Sequence, residues 1–352
     1  MANWAARKRP AAWGGPGVKA MAVNFVAPGQ VALREVELPD VTGDRVLVAT
    51  DVSGISGGTE TLAYRGEIDP ALPLDEAIGA LAGTFTYPFR YGYAAVGRVL
   101  RPAGSLREGQ PVFAFHPHQD RFVVAAGEVF PIEGVEPRAA TLYPLVETAL
   151  QVCLDAAPRL GELVVVVGQG AVGILIASLL ARTGATVVAS EPRAARRELA
   201  AAFGVRAVAP EQIAELVEAA SGGRGADLVV EASGSPAALA SSLALLAHEG
   251  TALVCSWYGS RRADLPLGAG FHRRRLAIRS TQVSTIPAAL TARWDRRRRA
   301  AVAWRLLREL PVAALTTHEF PFAQVAEAYA SVDRGDDGLV HAVLRYGREV
   351  SG

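Results

Sequence analysis

A short stretch near the middle of the chain joins an apolar strand, a glycine-rich turn and an apolar helix. The run Leu163–Val167 is apolar and β-branched, which is typical of a buried strand. It leads directly into the spacing Gly168-x-Gly170-x-x-Gly173, which is followed by a second apolar run of helical length. Glycines at this spacing permit a sharp turn, the close approach of a pyrophosphate to the backbone, and tight packing of helix on strand. The stretch therefore predicts a parallel α/β sheet with a dinucleotide at the amino terminus of this helix.

Two later stretches support a dinucleotide site. A predicted strand at 185–190 leads into Glu191, about twenty residues beyond the glycines, where a carboxylate accepts hydrogen bonds from the adenosine ribose. Another predicted strand, at 226–232, leads into Ser233. A glycine-rich turn without a nucleotide is the alternative to this interpretation. The predicted cofactor-binding residues are Gly168, Gln169, Gly170, Ala171, Val172, Gly173, Ser190, Glu191, Arg193, Arg196, Ala232 and Ser233.

The residues after the second strand also bear on which nicotinamide cofactor is used. The Glu191 carboxylate would repel an adenosine 2′-phosphate, which favours NAD. Arg193, Arg196 and Arg197 follow closely, and these arginines could bind that phosphate if Glu191 turned away. We therefore expect NAD, with NADP as the alternative.

The rest of the chain predicts a second, mainly β domain. β-branched content and alternating polarity predict strands between 20 and 52 and between 91 and 124. Strands and helices alternate from 163 to about 280, among them a helix expected at 237–248, and this alternation is typical of a doubly wound parallel sheet. The expected organisation is an α/β chain with a flexible extension at 1–18, a catalytic domain at 19–148, a Rossmann dinucleotide-binding domain at 149–290, and a return to the catalytic domain at 291–352.

Composition excludes several other classes of protein. The 352-residue chain has a formal net charge of +1 and no basic stripe with interleaved aromatic residues, which argues against a nucleic-acid partner. Arginines cluster at 273–275 and 296–299. We interpret both clusters as solvated charge, with an anionic substrate or a partner surface as alternatives. No apolar run reaches transmembrane length, and the chain has only Cys153 and Cys255, so we expect a cytoplasmic protein that does not bind a membrane.

The order of these pieces resembles the medium-chain dehydrogenase/reductase superfamily from about Lys19 to Tyr346. The resemblance implies a GroES-like catalytic domain built from both ends of the chain, a Rossmann domain between them, and a homodimer formed through the Rossmann domains. Strands at 251–256 and 276–279 are candidates for the dimer edge. The stretches that carry the resemblance are Val52-Ser53-Gly54-Ile55-Ser56, Gly92-Tyr93-Ala94-Ala95-Val96-Gly97-Arg98-Val99, the turn from Val167 to Gly173, Asp227-Leu228-Val229-Val230-Glu231-Ala232-Ser233-Gly234, Phe320-Pro321-Phe322 and Val325-Ala326-Glu327-Ala328-Tyr329.

The chain departs from the zinc-dependent members of that superfamily. Those members place a cysteine where this chain has Ser56 or Gly57, and a His-Glu pair where it has Tyr93 and Ala94. A hydroxyl is a poor zinc ligand and alanine is none. Glu147 lies near the place of a third ligand, but one carboxylate does not make a site. We expect no zinc, and the chain looks most similar to the zinc-free branch that includes bacteriochlorophyllide a dehydrogenase.

Without a metal ion, hydrogen-bond donors must stabilise the oxygen that gains charge during hydride transfer. Tyr93 is the first candidate because it occupies the position of a lost ligand, although a tyrosine satisfied within its strand is as good an interpretation. His118 is the next candidate because histidine can return a proton near neutral pH, although it could equally bond only to backbone. The predicted catalytic residues are Tyr93, His118, Tyr64, Thr59, Glu60, Ser56 and His116.

These features predict a zinc-independent NAD(P)-dependent oxidoreductase with a small-molecule substrate. The expected reaction interconverts an alcohol and a ketone on a biosynthetic intermediate, such as a secondary metabolite, a sugar or cyclitol, or a tetrapyrrole-like molecule. One alternative is an NADPH-dependent reductase of enone or quinone C=C bonds. Another is a nucleotide-binding member of the superfamily that has lost its catalytic activity.

Overall fold

The fold is taken from a computed structural model, and the structure describes residues 18–347. The predicted extension at 1–18 lies outside the described residues, apart from Val18. The strands are β1 (Lys19–Ala27), β2 (Gln30–Glu37), β3 (Arg45–Ile55), β4 (Ala95–Arg101), β5 (Pro111–Ala114), β6 (Arg121–Ala125), β7 (Val129–Pro131), β8 (Leu163–Val167), β9 (Thr186–Ser190), β10 (Arg206–Val208), β11 (Ala226–Glu231), β12 (Leu246–Val254), β13 (Ala277–Ser280), β14 (Thr316–Pro321) and β15 (His341–Arg345). The helices are α1 (Thr59–Arg65), α2 (Pro137–Ala140), α3 (Tyr143–Ala156), α4 (Ala171–Ala181), α5 (Ala194–Ala202), α6 (Ile213–Ser221), α7 (Pro236–Ser242), α8 (Ala269–Arg273), α9 (Arg296–Glu309) and α10 (Val325–Arg334).

Six parallel strands form the central sheet in the order β10-β9-β8-β11-β12-β13. Alternate residues of β8 enter two different cores: Val164 and Val166 pack with α3 and α4, whereas Val165 and Val167 pack on the opposite face. Both faces of the sheet are therefore buried, which explains why β8 is apolar throughout. The predicted Rossmann sheet is confirmed.

A second, mainly antiparallel sheet has the order β14-β15-β3-β4-β5-β7, with β6 paired to β3. The carboxyl-terminal strand β15 pairs with β3 from the amino-terminal half, so the two ends of the chain build one sheet. β1 and β2 form a separate hairpin. The predicted mainly β domain is confirmed. The boundary predicted at 148/149 falls inside α3, and the exact domain divisions stay predictions.

Three sequence expectations about secondary structure differ from the fold. The helix expected at 237–248 ends at Ser242, because from Leu246 the chain pairs with β11 as β12. β12 also pairs with β13, so of the two candidate dimer strands the stretch 251–256 is interior and β13 is at an edge, the other edge strand of the sheet being β10. β14 was not expected, because its sequence is polar and its parallel pairing with β15 defines it.

Within residues 18–347, no helix has both the length and the apolar character needed to cross a membrane.

Candidate functional site

The glycine turn lies at the carboxyl end of β8 and is packed against backbone on two sides. Gly168 has φ +92°, and a Cβ there would lie 2.6 Å from the Ser233 Cα. A Cβ on Gly173 would lie 2.0 Å from the Gly168 carbonyl oxygen. A Cβ on Gly170, in contrast, would meet only the Arg196 guanidinium, at 3.9 Å. Gly168 and Gly173 are therefore required by packing, whereas Gly170 leaves open space in front of the turn.

The first turn of α4 faces this space. The bond from the Ile174 N–H to the Gly170 carbonyl, at 3.0 Å, is the first that closes the helix. The N–H groups of Ala171, Val172 and Gly173 precede it and have no intrahelical acceptor. Free N–H groups and the helix dipole bind an anionic group such as a pyrophosphate. The open space and these donors fit the diphosphate of a nicotinamide dinucleotide.

Glu191 is held by backbone donors on both sides. Its Oε2 accepts the Gln169 N–H at 2.7 Å, and its Oε1 accepts the Arg193 N–H at 3.0 Å. The residue is only 3% exposed. The preceding Ser190 carbonyl accepts the Gly168 N–H at 2.8 Å. These hydrogen bonds hold the ends of β8 and β9 together at the edge where a ribose would lie.

The remaining predicted cofactor residues line the same edge of the sheet. The Ala232 N–H donates to the Val167 carbonyl at 2.8 Å. The Ser233 N–H donates to Glu231 Oε1 at 2.7 Å. Gln169 is buried, and its Oε1 is without a hydrogen-bond partner among the residues that the structure describes. The structure therefore brings the predicted cofactor-binding residues to one place.

A second cluster of predicted residues is centred on the Glu60 carboxylate, which is 0% exposed. Oε1 accepts the Ser56 N–H at 2.9 Å. Oε2 accepts His118 Nε2 at 2.9 Å and the hydroxyl of Tyr329. Three donors thus surround a buried carboxylate, which is the condition under which such a group is tolerated.

His118 connects Glu60 to residues that include one near the carboxyl end of the chain. Because a carboxylate only accepts, His118 donates Nε2–H to Glu60, and its Nδ1 lies 2.7 Å from the Ser53 hydroxyl. The Ser53 Oγ also lies 2.9 Å from the Tyr346 hydroxyl. His118 is 0% exposed, and its ring connects Glu60 to Ser53.

Tyr93 is the half-buried member of this cluster. The hydroxyls of Ser56 and Thr59 act on its phenol as hydrogen-bond partners. Burial, followed by the charge of Glu60, raises the pKa of Tyr93 to about 12. The phenol therefore stays protonated at neutral pH and can donate a hydrogen bond.

The last two predicted catalytic residues, His116 and Tyr64, stack on aromatic side chains. His116 stacks on Phe122 at 4.2 Å, and its Nδ1 lies 3.0 Å from the Pro117 carbonyl. Burial lowers the pKa of His116 to about 4. Tyr64 stacks on Tyr329 at 5.6 Å. Both side chains have packing roles in this arrangement.

The donor set does not fit a zinc ion. Glu147 is paired with Arg299, whose Nε lies 3.2 Å from the carboxylate, and Arg299 also donates to Gln151 at 2.6 Å. Ser56 offers a hydroxyl and Ala94 no ligand at all. Among residues 18–347, His, Cys, Asp and Glu side chains form no group of three or more that could hold a metal ion.

Sequence reasoning missed three residues that complete the Glu60 network. Ser53 contacts the far side of His118, Tyr346 contacts the Ser53 hydroxyl, and Tyr329 binds Glu60 from α10. Tyr329 lies in a stretch that carried the family resemblance, but its partner Glu60 is 269 residues away in sequence. Nothing local in the sequence indicates that contact.

The comparisons with known proteins agree with this geometry. Residues 171–296 match the family model described as zinc-binding dehydrogenase. The D-guloside 3-dehydrogenase of Escherichia coli is 26% identical over 306 residues, covering 80% of this chain and 86% of that protein. The 2-desacetyl-2-hydroxyethyl bacteriochlorophyllide A dehydrogenase of Cereibacter sphaeroides is 27% identical over 345 residues, covering 92% and 97%. An alcohol dehydrogenase structure from Thermotoga maritima superposes with a TM-score of 0.74 at 17% identity, covering 94% of this chain and 100% of that one.

Proposed function

The chain belongs to the medium-chain dehydrogenase/reductase superfamily, and from this premise we propose that it is a zinc-independent, nicotinamide-dependent alcohol dehydrogenase or ketone reductase. A bound nicotinamide dinucleotide would supply or accept the hydride. The fit of the glycine turn to a diphosphate supports this cofactor. Two curated relatives bear the names of dehydrogenases, of a guloside and of a hydroxyethyl-bearing bacteriochlorophyllide. Their names favour the alcohol-to-ketone reaction over reduction of a C=C bond.

The observation that carries the proposal is the Tyr93 phenol at a position where zinc-dependent relatives have a ligand. Tyr93 is half-buried, keeps its proton at neutral pH, and is flanked by the hydroxyls of Ser56 and Thr59. A protonated phenol in a desolvated site can donate a hydrogen bond to the substrate oxygen as charge develops there. In the oxidative direction, the same group orients the substrate hydroxyl.

A phenol is already protonated at neutral pH, and burial, followed by the charge of Glu60, raises the pKa of Tyr93 further to about 12. The negative charge of Glu60 disfavours the phenolate, and Glu60 is itself fixed by Ser56, His118 and Tyr329. These residues are therefore positioning residues, whereas Tyr93 is the proposed catalytic residue. Removing the hydrogen-bond donor at an oxyanion costs about a hundredfold or more in rate.

The test is Tyr93→Phe, with Tyr64→Phe as the matched control. Turnover would be followed by nicotinamide absorbance with a panel of glycosides, cyclitols and simple secondary alcohols, with enones as the C=C comparison. We expect oxidation of at least one secondary alcohol, at least about a hundredfold slower in Tyr93→Phe and nearly unchanged in Tyr64→Phe. Full activity of Tyr93→Phe would overturn the role of the phenol.

Zinc independence is tested separately by metal analysis of the purified protein and by turnover after dialysis against a chelator. We expect no stoichiometric zinc and no loss of activity. Stoichiometric zinc that chelation removes together with activity would refute this part of the proposal.

The assembly and location of the enzyme are also part of the proposal. We expect a homodimer through the Rossmann domains, and β13 is the strand available at the sheet edge. Light scattering after size-exclusion chromatography measures the mass, and a monomer would contradict this expectation. A cytoplasmic location stays a prediction that cell fractionation can check.

A further inference from the structure

An exposed tryptophan lies where the end of the central sheet meets the end of α1. Trp257 is 42% exposed, although tryptophan is highly buried on average in folded proteins. The hydroxyl of the preceding Ser256 accepts the Gly234 N–H at 2.9 Å, at the carboxyl end of β11. Ser260, three residues after Trp257, donates its N–H to the Glu67 carbonyl at 2.7 Å, just beyond α1. Trp257 therefore lies between the proposed cofactor edge and the helix that carries part of the Glu60 cluster.

The backbone after Trp257 is held tightly. The Tyr258 hydroxyl donates to the buried Glu231 carboxylate at 2.6 Å. Gly259 has φ +60°, and a Cβ there would lie 2.1 Å from the Glu67 carbonyl oxygen. The place of the indole is thus defined before any ligand binds, and a ligand that contacts it pays little for ordering the protein.

Ring contacts connect Trp257 to the proposed catalytic phenol. The ring centroids of Trp257 and Phe85 are 6.0 Å apart, and those of Phe85 and Tyr91 are 5.2 Å apart. Tyr91 in turn lies 6.1 Å from Tyr93. Phe85 and Tyr91 are buried, whereas Trp257 is exposed and Tyr93 is half-buried. These four rings form one aromatic wall, and a substrate that meets Tyr93 at one end is offered an apolar surface at the other.

Negative charge surrounds this aromatic wall. Burial raises the pKa of Tyr91 and of Tyr93, and the carboxylates of Glu60 and Asp75 raise it further, so both carboxylates lie close to the phenols. Asp75 is exposed. Its Oδ1 accepts the N–H groups of the two residues at 77 and 78, at 2.6 and 2.8 Å. Its Oδ2 remains available to accept a hydroxyl from a ligand.

We infer that Trp257 is a specificity-determining residue that stacks on the ring of a neutral substrate bearing several hydroxyl groups, a glycoside or a cyclitol. The C–H groups of such a ring form an apolar face that gains from burial against an indole, while its hydroxyls donate to Asp75. A carboxylate on the ring would instead meet the charges of Glu60 and Asp75. The inference rests on the proposed function, because it assigns the substrate class of the Tyr93 site.

The first test compares ring substrates with and without a carboxylate. Methyl hexopyranosides are compared with the corresponding methyl hexopyranosiduronates, and inositols with the carboxylated cyclitol quinate, each with NAD⁺ and with NADP⁺. We expect kcat/KM to be at least about tenfold higher for the neutral rings, because the carboxylate would lie near two like charges. Turnover of glycosides alone, or of inositols alone, identifies which source of the ring the site accepts. Equal or faster turnover of the carboxylated rings would overturn the inference.

Variants of Trp257 then test the stacking itself. Trp257→Leu keeps an apolar side chain but removes the flat ring, so KM for the ring substrate should rise at least about tenfold with kcat nearly unchanged. KM for an acyclic secondary alcohol should not change, and Trp257→Phe should retain most of the affinity for the ring. The matched control, Trp294→Leu, makes the same replacement at a tryptophan that packs on Arg298 and should leave both KM values unchanged. An equal effect of Trp257→Leu on ring and acyclic substrates, or no effect, would contradict the inference.

A charge variant tests the role of Asp75. Asp75→Asn keeps an oxygen for the two backbone N–H groups and removes the charge, so it should reduce the preference for neutral over carboxylated rings by about threefold or more. Glu76→Gln removes the same charge from the next residue and should leave the preference intact. A preference that Asp75→Asn does not change would show that this carboxylate does not select the substrate.

The same assays separate this inference from the proposed function. If acyclic secondary alcohols are oxidised but no hydroxylated ring is, only the substrate class fails. If no alcohol is oxidised with either cofactor, the proposed function itself fails.

Discussion

Two glycines three residues apart in the turn should respond oppositely to the same substitution. In Gly173→Ala the new Cβ would lie 2.0 Å from the Gly168 carbonyl oxygen, which is far inside van der Waals contact. The Gly168 backbone cannot shift away easily, because it is packed against the Ser233 backbone, whose Cα would lie 2.6 Å from a Cβ built on Gly168. In Gly170→Ala the Cβ would meet only the Arg196 guanidinium, at 3.9 Å, and the backbone there has φ −71° and ψ −178°, which alanine adopts freely.

The expected magnitudes follow from these distances. Forcing backbone apart in a packed region costs about 3 kcal/mol, and alanine regains about 1 kcal/mol over glycine inside a helix. Gly173→Ala should therefore lower the free energy of unfolding by about 2 kcal/mol. Gly170→Ala should cost less than about 1 kcal/mol. It should nevertheless weaken NADPH or NADH binding by at least about tenfold, or 1.4 kcal/mol, because the methyl group occupies the proposed diphosphate space.

Urea denaturation followed by tryptophan fluorescence measures stability, and titration with the reduced cofactor measures affinity. The informative outcome is that the two substitutions change different quantities. Gly173→Ala lowers the free energy of unfolding, whereas Gly170→Ala stays stable but binds the cofactor less tightly. Wild-type affinity in Gly170→Ala would mean that the dinucleotide does not lie over this turn. Wild-type stability in Gly173→Ala would mean that the turn is less tightly packed than the structure indicates.

Two further predictions concern buried polar groups. Tyr329→Phe removes one of the three donors to Glu60 and should lower stability by about 2 kcal/mol in urea denaturation; Tyr64→Phe, its stacked neighbour, should change it by less than about 0.5 kcal/mol. Burial lowers the pKa of His116 and of His341 from 6.5 to about 4, so the unfolded chain binds protons that the folded chain does not. Stability should therefore fall as pH drops from about 6.5 to about 4, by about 3 kcal/mol for each histidine, and the pH dependence should be shallower in His116→Phe; an unchanged slope would contradict the assignment.

The sequence predicted the dinucleotide site because that site is local. Strand, turn and helix follow one another without interruption from Leu163 to Ala181, so spacing alone determines which atoms meet. The residue types at the turn also have a local explanation. Gly168 and Gly173 are glycines because a Cβ at either position would meet backbone.

The Glu60 cluster was predicted only in part because its contacts join distant segments. Ser56, Thr59 and Glu60 come from one stretch, but His118 lies 58 residues beyond Glu60 and Tyr329 lies 269 residues beyond it. The sequence identified polar residues in the right loops. It could not distinguish His118, which is buried inside the network, from a histidine that reaches substrate.

Two buried carboxylates, Glu60 and Glu147, explain in physical terms why we propose a hydroxyl for polarising the substrate. The Glu60 carboxylate accepts hydrogen bonds from three donors of its own chain, and the Glu147 carboxylate pairs with Arg299. A carboxylate that is already compensated in a buried network gains little from a cation, because the existing partners would be left unpaired. Burial, and after it the charge of Glu60, disfavours loss of the proton from Tyr93. The buried charge of Glu60 thus supports a neutral donor at the proposed site.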